Sequence, residues 1–65
     1  MNEQKLKQIE DSYYNGQKKQ MVNQIKAYGI KAFMIDYYKA CLHGDYPRSE
    51  ALYADIVYTF FLLNS

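Results

Sequence analysis

Apolar residues recur along this chain at intervals of three and four, and glycines interrupt the pattern at three places, which divides it into four helical stretches. From Met1 to Tyr14, Leu6, Ile9 and Tyr13 form a narrow apolar stripe on a charged segment, as in a surface helix resting on a core. Asn15-Gly16 closes it, because either residue takes the left-handed conformation that ends a helix. Over 17–28 a second helix is predicted, with Met21, Val22, Ile25 and Tyr28 on one side and Lys19, Asn23 and Lys26 on the other. Gly29 either breaks or kinks the chain. Residues before it carry a single stripe and those after it are apolar on several faces, so a break is expected, with a third helix over 30–42.

In that third helix Ile30, Phe33, Met34, Tyr37, Tyr38, Cys41 and Leu42 make a broad apolar side, Lys31, Asp36 and Lys39 mark the wet side, and Ile35 falls near the polar one. Tyr37 lines up with Ile30, Phe33, Met34 and Cys41 and belongs to the core, which leaves Tyr38 nearer the boundary. His43-Gly44-Asp45 reads as a turn, Pro47 suits a helix start, and Asp45, Tyr46 or Ser49 supplies the cap. A fourth helix then runs to about Leu63. It has Leu52, Ile56, Phe60 and Leu63 on one line and Tyr53, Val57 and Phe61 beside it, so it is apolar nearly all round. Such a helix either sits at the centre of a bundle or leaves a face for another molecule, and a chain this short offers few helices to surround it. The expected fold is all-α, a compact bundle of three or four short helices in a single domain spanning 1–65.

Composition narrows the chemistry. With 65 residues the chain is at the small end of what folds alone, and at 49% hydrophobic and 17% aromatic it carries enough apolar material to do so. One cysteine and one histidine allow no intrachain disulfide and no Cys/His zinc cluster, and the scattered carboxylates offer no metal ladder, so no cofactor or metal is expected. Cys41 and His43, two apart on a helix, point in different directions, and no glycine-rich phosphate loop is present, so the chain is not expected to be an enzyme. His43, Asp45 and Arg48 gather around one loop and read as a helix-capping turn. The run Ala51–Leu63 is too short for a span of about 20 residues and contains Asp55, and the polar first dozen residues lack a signal-type apolar region, which makes a cytoplasmic protein the expectation.

Net charge is +1, but residues 1–31 hold six lysines against three acids while residues 32–65 hold two cations against four acids. Such a split can orient two copies or recruit an anionic partner. Eight tyrosines stand out. Two adjacent pairs cannot share one helix face, and tyrosine suits boundaries because it buries a ring and keeps its hydroxyl wet. The reading that follows is a protein-interaction module with no catalytic activity, self-associating as a homodimer through the last helix, with Tyr38, Tyr53, Val57, Tyr58 and Phe61 as candidate contacts. The alternative is a nucleic-acid-binding regulator using Lys18, Lys19, Lys26 and Lys31. A helix-turn-helix is disfavoured, because the segment AFMIDYYKACL has almost nothing with which to read bases. In size and in its Lys, Asn, Gln, Tyr and Ile content the chain resembles accessory proteins of phages and other mobile elements in AT-rich bacteria, which implies action by binding a host or phage macromolecule.

Overall fold

In the computed structural model, which describes residues 3–43 and 48–64, the four periodic stretches are four helices: α1 (Glu3–Tyr14), α2 (Lys18–Tyr28), α3 (Ile30–His43) and α4 (Glu50–Leu63). Local signals set their ends. α1 closes in a Schellman turn: the Gln17 N–H donates to the Ser12 carbonyl at 2.9 Å and the Gly16 N–H to the Tyr13 carbonyl at 3.2 Å, with Gly16 at φ +76°. Gly29 is the single residue between α2 and α3. Its N–H still closes α2 on the Ile25 carbonyl at 2.8 Å, but its φ of +98° turns the chain, so it breaks the helix as expected. A Cβ there would meet only the Ala32 Cβ at 3.9 Å, so glycine is required for its dihedral and not for space. Ser49 caps α4, its hydroxyl accepting from the N–H groups of Ala51 (3.1 Å) and Leu52 (3.3 Å), with Glu50 favourably placed in the first turn. The other proposed caps, Asp45 and Tyr46, together with Gly44 and Pro47, lie outside the described residues.

α2 packs against each of the other three helices. What α3 provides is bulk: Phe33 and Tyr37 are the two largest side chains with no exposure, and Ala40 lets a neighbour approach closely beside them. Leu6 and Ile9 of α1, Met21, Val22 and Ile25 of α2, and Ile56 and Phe60 of α4 complete the core. The radius of gyration of 10.6 Å matches the roughly 10.7 Å expected of a compact chain of this length. Two polar bonds fasten neighbouring helices at their boundary. Ser12 donates to Gln24 at 2.8 Å between α1 and α2, and Tyr28 donates to Asp36 at 2.6 Å across the Gly29 break.

Some expected core positions turn out to be surface. Leu42 is 51% exposed because it lies in the last turn of α3, past the reach of the helices that cover Phe33 and Tyr37. Leu63, on the Ile56–Phe60 line, is exposed at the corresponding end of α4 for the same reason. The tyrosine pair divides as its 100° offset requires: Tyr37 is fully buried and Tyr38 is 46% exposed. Tyr37→Ala is therefore expected to destabilise the fold by about 3–5 kcal/mol and Tyr38→Ala by less than about 1 kcal/mol in thermal or urea melts. The reverse order would mean that the buried face of α3 has been misidentified.

Candidate functional site

Three places on the molecule collect side chains with something to do. One is a buried polar knot, one a lysine-flanked groove, and one an outward apolar face.

The knot joins three elements. Arg48, just ahead of the α4 cap, turns its side chain inward to 1% exposure, where its Nη1 donates to Glu3 Oε2 at 2.7 Å and its Nε stands 3.2 Å from Glu10 Oε2. The Tyr37 hydroxyl donates to the same Glu10 oxygen at 2.6 Å, and the guanidinium carbon sits 5.6 Å from the Tyr37 ring centroid. Charged α1, the rings of α3 and the entry to α4 thus meet at one point. Sequence reading had placed Arg48 in a capping turn with His43 and Asp45. That assignment is corrected, since Arg48 is a core ion-pair partner and His43 is exposed at the end of α3. Glu10, one of the acids of the charged first segment, is 4% exposed. Nothing local announces either, because the partner of each lies on another helix.

The electrostatics of the knot are those of a cross-link. Burial raises the pKa of the Tyr37 hydroxyl, and its bond to the Glu10 carboxylate raises it further. Burial acts to lower the pKa of Arg48, but the bond to Glu3 and the charge of Glu10 more than offset this, so its guanidinium is held even more firmly protonated than usual. A tyrosine that resists ionisation and an arginine that cannot lose its proton are poor acid–base catalysts. Both are buried side by side, with the fourth member, Glu3, half in water. Cys41 is half-buried, and burial followed by the nearby Glu50 charge pushes its thiol up, away from the reactive thiolate. Among the described residues no group of three or more His, Cys, Asp or Glu could hold a metal ion, and no helix is long and apolar enough to cross a membrane.

The groove lies between α2 and the end of α4, a space of about 310 Å³ lined by Lys19, Val22, Asn23, Lys26, Leu63 and Asn64. Of the four lysines proposed for nucleic acid, Lys19 and Lys26 converge here because seven residues is close to two turns. Lys18 is a quarter turn away around α2, and Lys31 belongs to α3, on the line of Ile35 and Tyr38. Two phosphate contacts give a salt slope of only about −2, far below that of duplex binders with 6–10 contacts.

The apolar face is larger. Of the eight large apolar side chains exposed among the described residues, seven lie on α3 and α4, and Tyr14 alone lies elsewhere. Ile35, Tyr38 and Leu42 repeat at three and four along α3. Tyr58 (68% exposed) and Phe61 (51%) repeat along α4 with the exposed small residues Ala51 and Ala54. The rings of Tyr38 and Tyr53, 6.1 Å apart, join the two lines into one surface. Of the five residues proposed as contacts, Tyr38, Tyr58 and Phe61 stand out in solvent, while Tyr53 and Val57 are half-buried against the core and form the floor between them. Tyr53 stacks on Tyr37 at 5.4 Å, and burial raises its hydroxyl pKa. Ile35 and Leu42 complete the face and were overlooked, one as near the polar side and one as core. Their spacing from Tyr38 was the available signal. No protein-family model matches the chain, and neither does any curated protein or solved structure.

The knot makes two quantitative expectations. Arg48→Met leaves Glu10 buried without its cation and should cost about 3–5 kcal/mol of stability in urea melts, more than Arg48→Met combined with Glu10→Leu. A double variant less stable than the single would contradict this expectation. The second concerns pH. Tyr37 binds its proton more tightly in the folded chain than in the unfolded one, where it titrates near 10.0, so the contribution is whole below that pH and lost above it. Stability should fall as pH rises past about 10, by up to about 1.4 kcal/mol per unit from this group, and Tyr37→Phe should flatten the fall; an equal slope in both proteins would contradict it.

Proposed function

We propose that this protein is a non-enzymatic interaction module that binds another protein chain through the outward apolar face of α3 and α4, a role of the accessory kind that its composition resembles in phages and mobile elements. One observation carries the reading: of the eight large apolar side chains exposed among the described residues, five, Ile35, Tyr38, Leu42, Tyr58 and Phe61, lie on the outward side of two adjacent helices. Scattered exposed apolar residues need no explanation, whereas a contiguous, ring-rich group is the usual mark of an interface. The buried floor supports it. Tyr53 and Val57 are held by the core, so the face is rigid before anything docks and loses little entropy on binding.

The face can be tested without disturbing the fold, since Tyr58 projects away from Ile56 and Phe60. Tagged wild-type protein and Tyr58→Glu are used as baits in the cell of origin, with circular dichroism and melting points as folding controls. Wild type is expected to retain a defined protein that the variant loses at least about tenfold, with melting stability unchanged within about 0.5 kcal/mol. Identical captures by both baits, or none above a tag-only control, would overturn the proposal.

A further inference from the structure

We propose that the partner seated on this face is a second copy of the same chain, paired through a two-fold axis parallel to the helices so that α3 of each copy lies on α4 of the other. The inference rests on the reading of the α3–α4 face as the binding surface and adds its occupant and geometry. Its evidence is the distribution of charge and bulk across that face. An isologous contact sets a patch against itself, so the patch must be self-complementary.

Charge signs are segregated by helix. The outward charges of α3 are Lys31 and Lys39, because its one acid, Asp36, is turned towards α2 and bonded to Tyr28. On α4 the charges are Glu50 and Asp55, both exposed, and that helix contains no cation. A two-helix face can be laid on its own copy in two ways. Like on like would bring lysines to lysines and carboxylates to carboxylates, and such juxtapositions are strongly unfavourable at an interface. The crossed arrangement brings every cation to an anionic helix.

Register sharpens this. Cys41 is near enough to Glu50 to feel its charge, and Tyr38 meets Tyr53, so three residues back along α3 correspond to three residues forward along α4. Lys39 therefore stands at a level between Glu50 and Asp55. A two-fold axis parallel to the helices preserves levels, which sets Lys39 of one copy against the Glu50–Asp55 turn of the other. Bulk follows the same rule. Tyr38 stands close to the level of the exposed Ala54. In the crossed pairing the Tyr38 ring faces this alanine, the interdigitation that close helix packing needs.

The test is a charge-swap mixing experiment by sedimentation velocity, with wild type, Lys39→Glu and Asp55→Lys, all checked for unchanged helicity. Wild type is expected to be a dimer at about 100 µM, and each single variant, which places like charges together in both symmetry-related contacts, should self-associate at least about tenfold more weakly. An equimolar mixture of the two variants should recover the dimer, since every mixed contact then pairs a cation with an anion. Wild type monomeric at that concentration would overturn the second copy as occupant. Variants that dimerise like wild type, or a mixture that stays monomeric, would overturn the crossed geometry. A monomer whose bait still loses a captured protein on Tyr58→Glu would sink this proposal and leave the binding face intact.

Discussion

The fold depends on one buried contact, the guanidinium of Arg48 against the carboxylate of Glu10 with the Tyr37 hydroxyl on the same oxygen. Apolar contacts among Leu6, Ile9, Phe33 and Ile56 are not directional, and in a core of ten of the described residues they would tolerate more than one arrangement of four short helices. An arginine held at 1% exposure is less forgiving, because its guanidinium must meet Glu3 and Glu10 of α1 together. Its position in the chain gives it a second task. Arg48 is followed directly by Ser49, the cap of α4, so the same side chain that pins α1 fixes where α4 begins. Burial of the pair is costly in desolvation, and the Glu3 bond at the water's edge together with the ring of Tyr37 offsets part of that cost.

Size imposes the second constraint. A chain of 65 residues buries only about 60% of its unfolded surface, and α4 shows what is left over. It is apolar on nearly every side, yet only Ile56 and Phe60 are buried, because α2 and α3 together can cover no more than one side of it. The bundle consequently hides charge at its centre and shows rings on its outside. That inversion arises because the interior is used to fix geometry and the outer face of α4 has nothing among the described residues to pack against.

Features that depend on neighbours in sequence were legible without a structure. Gly16 and Gly29 end helices because of their own dihedrals, Ser49 caps through its own hydroxyl, and the 100° step separates Tyr37 from Tyr38. What depends on distant segments was not legible. Glu3 and Arg48 are 45 residues apart, and no periodicity links them. Leu42 satisfies the apolar pattern of α3 and still lies in water, because pattern specifies direction around a helix axis but not how far along it the neighbours extend. Ile35 fails in the opposite sense: it sits off the core line, and only the α3–α4 hairpin shows that off the core line means on the shared face.

The knot and the face are physically linked. A binding surface made of helix exteriors is only as well defined as the helices are fixed, and α4 is held at both ends of its buried line, by the Ser49 cap behind Arg48 and by Phe60 in the core. Loosening the Glu10–Arg48 contact would let α4 shift against α3, and Tyr38 and Phe61 would then lose their spacing before the helices themselves melted. Substitutions on the outer line of α4 leave that frame untouched. On the proposed reading, stability and association are carried by different sides of the same helix, so the outer side is free to vary while the inner side is bound to Tyr37.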